Sequence, residues 1–255
     1  MTDKKETSAG EDAKEISKKS KLLEEKYKMD FSDNKISLEK MLKSGVHFGH
    51  NKSCRDPRMN KFIFGAKRGI NIIDLEKTKD RLEKAIEFAK SIQKEDKQIL
   101  FVGTKKQAKN IVKAAAQAAK MPFVTERWLG GTFTNFGVIR KRAQYLKDSQ
   151  DQMEAGGFDK YTKLEKLKKT EELEKLEKKM GGIKEMKVLP AAIFIADIKT
   201  DEIALKEAMS ANIPVIAIVD TNVNPNDVNY PIPANDDAVS SIKVIMEYFA
   251  GSIMK

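Results

Sequence analysis

The sequence predicts an α/β fold in which a mostly parallel sheet is flanked by helices and interrupted by an antiparallel helical hairpin. Short apolar runs such as Ile99–Val102 and Pro214–Val219 alternate with helical patterns, and continuous apolar runs are typical of parallel strands buried on both faces. After the stretch RWLGGTFTN, Arg127–Asn135, this alternation stops and two long, highly charged helical patterns follow. The alternation resumes after Gly181 and Gly182.

The N-terminal segment, residues 1–35, mixes lysines with carboxylates and has few apolar side chains. This composition predicts disorder, with at most a weak helix over Ala13–Lys28 that becomes ordered on a partner. The folded body is predicted to begin at Ser37, which can serve as the N-cap of a short helix ending at Gly45. The next segment, 46–69, contains a proline and several glycines and is predicted to be irregular.

From Ile70 onward, apolar patterns predict an alternation of strands and helices. We expect Thr104 to cap the second of these helices, and we expect the prolines of the last strand to restrict it to a sheet edge. The predicted strands are Ile70–Ile73, Ile99–Val102, Pro122–Val124, Ala191–Ala196, Pro214–Val219 and Tyr230–Pro233, and the predicted helices are Leu75–Gln93, Lys105–Ala119, Asp201–Ala211 and Ala238–Phe249.

The stretch Arg127–Asn135 holds the only tryptophan, Trp128, beside two adjacent glycines. A large apolar anchor next to backbone that tolerates positive φ suits a sharp exit from a packed core, although an ordinary buried tryptophan before a loop gives the same pattern. The two helical patterns after it are each ~20 residues and about 30 Å long. Their narrow apolar seams fit an antiparallel hairpin, but the seam slips between Leu167 and Leu173, so a regular coiled coil is not required.

Composition restricts the function classes. The net charge of +10 and the pI of about 9.3 favour an anionic partner, with nucleic acid first and a membrane surface second. Cys54 is the only cysteine, which excludes an intrachain disulfide and suits a reducing compartment. No signal peptide, no apolar run near the ~18 residues of a membrane span and no basic amphipathic helix is evident. We therefore expect a soluble, cytoplasmic protein without a membrane partner.

The motifs of common α/β enzymes are missing from the sequence. No GxGxxG follows a strand, and neither a P-loop nor a GxSxG elbow occurs. The turn VGTKKQ offers one glycine before a helix N-terminus, which is a weak anion-binding signal. Because of this turn, the alternative is that the protein is an enzyme that binds a phosphorylated small molecule near Gly103 and Asp220. A catalytic thiol is disfavoured because Cys54 lies in a basic loop, and no cofactor is predicted.

A metal site is a second possibility at the sheet edge. His47 and His50 occur in the motif HFGH, and Asp197 and Asp220 end neighbouring strands at the carboxyl edge, where α/β proteins place ligands. Imidazole and carboxylate groups together can bind zinc or magnesium. The interpretation we favour is that the aspartates cap the loops after them, while the histidines pack or bond to backbone. The sequence leaves open whether His50, Asp197 and Asp220 hold a metal.

The basic loop, residues 52–68, is the clearest functional signal. Its cations can contact phosphates, and the interleaved Phe48, Phe62 and Phe64 can stack on sugars or bases or pack in the core beneath the loop. We expect core packing for at least two of these rings. A second basic cluster follows at the start of the hairpin, and the sequence leaves open whether both clusters face one surface. The cations are Lys52, Arg55, Arg58, Lys61, Lys67 and Arg68 in the loop, and Arg140, Lys141 and Arg142 in the hairpin.

Several sequence blocks occur together in one order between about Ser37 and Phe249. They are MLKSGVHFGH, PRMNKFIFGAKRGINIIDLEKT, ILFVGTKKQA, RWLGGTFTN, LEKLEKKMGGIK, IPVIAIVDTN and IPANDDA. Together they resemble the bacterial small-subunit ribosomal protein two (S-two) family. The segment before Ser37 is longer than the family's usual start, which leaves its role open.

The resemblance implies a Rossmann-like α/β domain at 36–132 and 183–255, with a coiled-coil hairpin inserted at 133–182 and the extension at 1–35 before it. It also implies a non-enzymatic, structural role in the small ribosomal subunit, on ribosomal RNA (rRNA) and beside neighbouring ribosomal proteins, including the mRNA-binding protein S-one. By the resemblance, the cations of the basic loop and the RWLGGTFTN stretch with Arg127 lie at or near the RNA-facing side. The charge pattern adds Arg140, Lys141 and Arg142 to the predicted RNA-binding positions.

Overall fold

The computed structural model describes residues 29–31, 36–155 and 162–254. The helix predicted over Ala13–Lys28 lies outside these ranges, whereas Met29, Phe31 and Ile36 pack against the core of the body. Among the described helices, none combines the length and the apolar character that crossing a bilayer requires.

A five-stranded parallel sheet with the order β5-β4-β6-β7-β8 forms the centre of the protein. The direction of the chain across the sheet reverses between β4 and β6. The crevice at the carboxyl ends of these two strands is therefore the place where open α/β sheets usually bind ligands. The strands, in chain order, are β1 (Phe48–Asn51), β2 (Ile63–Lys67), β3 (Ile70–Ile73), β4 (Ile99–Val102), β5 (Phe123–Val124), β6 (Ala192–Ile195), β7 (Val215–Val219) and β8 (Tyr230–Pro233).

Both faces of this sheet are buried, which explains the continuous apolar runs. Alternate residues of a strand point to opposite faces, so Ile99 and Phe101 of β4 join one core cluster while Leu100 and Val102 join the other. The first cluster includes α2, α3 and α7, and the second includes α6, the base of α4 and α5, and the turn at 57–62. The helices are α1 (Leu38–Lys43), α2 (Leu75–Lys94), α3 (Lys109–Ala118), α4 (Phe136–Glu154), α5 (Lys163–Met180), α6 (Glu202–Ser210) and α7 (Val239–Ile253).

Two helices differ clearly from the prediction. Helix α3 begins at Lys109 and not at Lys105, because Thr104 bonds to Asp201 instead of capping the helix. The Lys105 side chain turns toward carboxylates at the sheet edge. Helix α7 continues to Ile253, because its apolar stripe extends beyond the predicted end and Ile253 is buried as well.

Strand β3 was expected to open the parallel sheet, and that prediction is wrong. It lies at the centre of a separate three-stranded antiparallel sheet of order β1-β3-β2, so the predicted irregular segment 46–69 in fact contains two strands and two short 3-10 turns. This small sheet is attached to the carboxyl edge of the large one at Thr221. The Thr221 carbonyl accepts from Asp56 N at 2.8 Å, and its hydroxyl accepts from His50 N at 2.9 Å.

Helices α4 and α5 pack against each other in antiparallel directions. The Gln150 side chain donates to Glu177 at 2.9 Å, and Lys147, one turn closer to the body, contacts Glu185 at 3.4 Å. Leu146, Leu173 and Met180 are buried in the seam near the body. Farther out, Leu164 and Leu167 are 61% and 57% exposed, so a coiled coil along the whole length stays a prediction.

Candidate nucleic-acid interface

The basic loop, residues 52–68, is held to the body by its apolar side chains. Met59 and Phe62 are buried against the second core cluster beneath a short 3-10 turn, Pro57–Phe62. Asp56 caps that turn by accepting from Arg58 N at 2.8 Å. With the backbone fixed in this way, the cations of the loop are left to project outward, and among them only Arg55 is half-buried.

Arg68 lies at the tip of the turn between β2 and β3. Arg68 and Gly69 have φ angles of +52° and +80°, and two consecutive residues of positive φ are typical of the tight turn that joins antiparallel strands. Lys67 pairs with Ile70 across this turn. The turn therefore presents two adjacent cations, Lys67 and Arg68, at its exposed end.

The predicted cations differ from many other lysines of the body in having no acidic partner. Within the described residues, none of the predicted RNA-binding side chains lies within 4.0 Å of a carboxylate oxygen. Lys61 donates to the neutral amide of Asn226 at 3.0 Å and lies over the Phe62 ring, 5.2 Å from its centroid. By contrast, Lys77, Lys84 and Lys97 each pair with a carboxylate, at 3.3, 2.9 and 2.7 Å. Positive charge at the predicted positions is thus available to an external anion.

The aromatic side chains of this region do not all pack inward, so the expectation that at least two of them do is wrong. Phe62 is buried, but Phe48 is 46% exposed and Phe64 is 81% exposed. The reason lies in the small sheet. Phe64 falls at the irregularity in the β2–β3 pairing, between Ile63 and Gly65.

The stretch Arg127–Asn135 connects the parallel sheet to α4 and is fixed by a single carboxylate on α6. One oxygen of Glu207 accepts from Trp128 Nε1 at 3.1 Å and from Gly131 N at 2.7 Å. Its other oxygen accepts from Phe133 N at 3.0 Å and from Thr134 N at 3.4 Å. Trp128 itself is buried and meets the Phe133 ring edge-on, as a packed anchor before a sharp exit should.

Arg127 and the cations of α4 surround this joint. Arg127 is exposed beside the buried Trp128. In the first turns of α4, Ile139 and Ala143 face the core, and Arg140, Lys141 and Arg142 between them are exposed. The joint and the basic loop pack on the same side of the large sheet, because Trp128 and Phe133 belong to the same core cluster as Met59 and Phe62. The buried residues that anchor both sets of cations therefore lie on one side of the large sheet, with α6 on that side as well.

The carboxyl edge of the sheet holds a compact cluster of charged groups around Lys105. The Lys105 ammonium lies 3.0 Å from Asp197, 2.7 Å from Asp236 and 2.8 Å from Asp237. Burial lowers the pKa of this ammonium, but its hydrogen bonds to Asp236 and Asp237 outweigh that effect and raise the pKa above the ordinary value. Burial and the charge of Asp197 raise the pKa of Asp236 to about 7.

Asp197 also caps the loop that follows β6, as predicted. Its side chain accepts from Lys199 N at 2.8 Å and from the Thr200 hydroxyl at 2.7 Å. Burial raises the pKa of Asp197, but the bonds from Thr200 and the charge of Lys105 hold it below its ordinary value. Asp197 is therefore a charged, fully engaged side chain at pH 7.

His50 reaches the same edge from the small sheet. Its Nδ1 lies 3.1 Å from Asp220 and its Nε2 lies 3.3 Å from Asp237, so it bonds to side chains and not to backbone as expected. The hydrogen bond to Asp220 raises the pKa of His50. One ligand atom each from His50, Asp220 and Asp236 lie within 4.8 Å of one another, a donor set that suits a small divalent cation. Asp197 is not a member of that set.

This edge does not suit a phosphate. The turn after β4, where a phosphate would meet free N–H groups, is already filled, because Asp201 accepts from Thr104 N at 3.2 Å and from the Thr104 hydroxyl at 2.8 Å. The carboxylates of Asp197 and Asp236 stand on either side of Lys105 and neutralise it. A phosphorylated small molecule at this edge would face repulsion from carboxylates around a lysine that they already neutralise, which disfavours the enzyme alternative.

A protein-family model for ribosomal protein S2 matches residues 41–255. The chain belongs to the ribosomal protein S2 family. The match spans both the parallel sheet and the helical pair, so it includes every element from β1 to α7. Membership makes the chain a ribosomal protein of the small subunit with a structural role in translation.

For a ribosomal protein S2 family member, the geometry of the sheet edge has a consistent explanation. The position that serves as a ligand site in α/β enzymes is occupied by the protein's own Lys105, Asp201 and Asp236, which tie β4, β6 and the loop after β8 together. At this edge the fold thus acts as a scaffold, and the cations of the basic loop and of the start of α4 lie outside this cluster.

Sequence reasoning missed Glu207 and the Lys105–Asp236 pair. Glu207 carried a usable signal, because it lies on the same stripe of α6 as the inward-facing Ala204, Ala208 and Ala211, where a charged residue needs a partner. Lys105 and Asp236 carried none, since their contact joins positions 131 residues apart in the chain.

Proposed function

We propose that this chain binds small-subunit rRNA through the basic loop and the start of the hairpin, acting as a non-catalytic bridge between rRNA and neighbouring ribosomal proteins in the cytoplasm. The RNA-binding side chains are those of Lys52, Arg55, Arg58, Lys61, Lys67, Arg68, Arg127, Arg140, Lys141 and Arg142. The family membership supports the setting, and the geometry of the cations supports the surface.

The observation that carries the proposal is the contrast between paired and unpaired cations. Lys77, Lys79 and Lys84 on α2 and Lys97 in the loop after it each lie beside an acid, as on an ordinary solvated surface. The cations of the basic loop, and Arg140, Lys141 and Arg142 at the start of α4, have no such acids within the described part of the chain. A cluster of cations without acidic partners is an electrostatic footprint that attracts a polyanion such as the phosphate backbone of RNA.

The test is the salt dependence of binding between the purified full chain and a small-subunit rRNA transcript. In a plot of log affinity against log salt concentration, each phosphate contact makes the slope more negative by about 0.9 for a duplex and by about 0.7 for a single strand. Replacing Arg55, Arg58 and Arg68 together with glutamine should reduce the slope by about 2 to 3.

The matched control replaces Lys77, Lys84 and Lys97 with glutamine, which makes the same change in net charge at cations that already have acidic partners. We expect its slope to stay within about 1 of the unaltered chain. A wild-type affinity that does not respond to salt, or equal losses for both triple variants, would contradict the proposed surface.

The protein partners are a second part of the proposal. We propose that the body contacts neighbouring small-subunit proteins, including the mRNA-binding protein S-one, and that the hairpin at 133–182 acts as a unit inserted in the α/β domain. The check is sedimentation of a tagged chain through a gradient with small-subunit particles, with and without S-one. A thermal-shift screen with nucleotides and sugar phosphates tests the enzyme alternative, and a concentration-dependent stabilisation there would count against a purely structural role.

A further inference from the structure

Glu207 has the surroundings of a bound anion. The Trp128 indole and the backbone N–H groups of Gly131, Phe133 and Thr134 all converge on its carboxylate, at distances from 2.7 to 3.4 Å. The Thr134 hydroxyl is a weaker neighbour at 3.5 Å. Successive N–H groups that point at one spot form an anion-binding concavity, and here the chain fills that concavity with its own side chain.

The carboxylate is buried and ionised. Glu207 is 9% exposed. Burial raises the pKa of Glu207, but the bonds from Phe133, Gly131 and Trp128 outweigh burial and hold the pKa below its ordinary value. A buried charge satisfied on both oxygens is geometrically demanding, because each oxygen must keep its own set of donors.

The donors of this network lead directly into α4. Asn135 is the N-cap of α4, yet its side chain makes no capping bond, and Gly131 adopts a φ of +89° just before it. The first turn of the helix is thus not positioned by a cap of its own. Phe133 and Thr134, two residues and one residue before the cap, are held by Glu207 on α6.

We propose that Glu207 is the positioning residue that sets the direction of the α4–α5 pair relative to the parallel sheet. The cations at the start of α4 are then placed with respect to those of the basic loop by this one carboxylate. The effect of Glu207 on RNA binding rests on the proposed function. Its effect on the direction of α4 and α5 does not.

The experiment measures the distance between the two parts directly. Cys54 is exposed in the basic loop and is the only cysteine, so Gln152→Cys on the exposed side of α4 provides a second site for paired spin labels. We expect a single narrow distance distribution for this doubly labelled chain. Glu207→Gln is nearly isosteric but turns an NH2 group toward N–H donors, so we expect a shifted or clearly broader distribution.

Two further variants keep the test decisive. Trp128→Phe removes the indole donor and part of the ring volume but keeps an aromatic ring beside Phe133 and the other donors to Glu207. It should broaden the distribution less than Glu207→Gln, and it decides the matter if Glu207→Gln does not fold. Glu202→Gln on the same helix is the control, since Glu202 is exposed and contacts only Lys206 among the described residues.

The binding readout separates this inference from the proposed function. In Glu207→Gln the affinity for the rRNA transcript should fall while its salt slope is unchanged, because no phosphate contact has been removed. Distributions as narrow as wild type in both Glu207→Gln and Trp128→Phe would overturn the inference. A wild-type chain that fails to bind rRNA would overturn the proposed function and leave the distance result standing.

Discussion

Replacing Lys105 with methionine should destabilise the fold far more than replacing its neighbour Lys106. The Lys105 side chain is 15% exposed, while its partners Asp197 and Asp236 are 4% and 3% exposed. Methionine fills much of the same volume but removes the positive charge, so two buried carboxylates lose their counterion. Removing one partner of a buried ion pair typically costs 3–5 kcal/mol.

The expected loss of stability lies near the lower end of that range, because Asp236 can become neutral by taking up a proton. Its pKa is about 7 even beside Lys105, so without the ammonium it takes up a proton at neutral pH and stays neutral. We therefore expect a loss of about 3 kcal/mol at pH 8, which corresponds to a fall of roughly 6–12 °C in Tm for a chain of this size. The loss should shrink as the pH falls below about 6, because the orphaned carboxyls become protonated.

Urea unfolding followed by the fluorescence of Trp128, the only tryptophan, measures this difference. Lys106→Met is the matched control, since Lys106 is exposed and adjacent in the chain. If the two variants differed by less than about 1 kcal/mol at pH 8, the cluster would not have the electrostatic role assigned to it. A loss that grew on acidification would equally contradict the reasoning.

Other predictions concern single contacts. Burial raises the pKa of Asp201 to about 6 from 3.8, so the native state binds this proton more tightly than the unfolded chain. The contribution of Asp201 to stability should be fully present below about pH 4 and should be lost, by about 3 kcal/mol, as the pH rises through 6. Asp201→Asn should remove that part of the pH dependence in urea unfolding. Gly182→Ala should cost about 2–3 kcal/mol in urea unfolding, because the new methyl group would overlap the backbone carbonyl of Phe123. Gly137→Ala in α4 should stabilise the protein by about 0.5–1 kcal/mol in the same assay, since nothing lies within 4 Å of the new methyl group.

The parallel sheet could be predicted from the sequence because its signal is local. A strand buried on both faces must be apolar at every position, and β4, β6 and β7 are recognisable from that alone. The small antiparallel sheet has no comparable signal. Its strands place Gly49, Gly65 and Asn71 among apolar residues, and its pairing depends on contacts with the distant Thr221.

The sequence locates the cations of the candidate interface, but it does not show which of them have an acidic partner. Lys77 and Arg58 look alike in a composition count, and only the structure shows that Asp74 lies 3.3 Å from the first, whereas the nearby Asp56 accepts a bond from the backbone of the second. Pairing is a property of side-chain geometry, and it decides which cations are available to phosphate.

The charged edge of the sheet shows why fold class alone was a poor guide to activity. Its position at the strand-order reversal is where an α/β enzyme would bind a ligand, and a sequence search there finds a glycine, a lysine and several aspartates, the right chemistry for one. In the structure these groups satisfy one another: Asp201 occupies the N–H of Thr104, and Lys105 is shared by carboxylates from two other segments. The crevice therefore acts as a polar seam that joins separate parts of the chain. An anion that bound Lys105 or the N–H of Thr104 would displace one of these carboxylates, and the displaced carboxylate would be a buried charge without its partner.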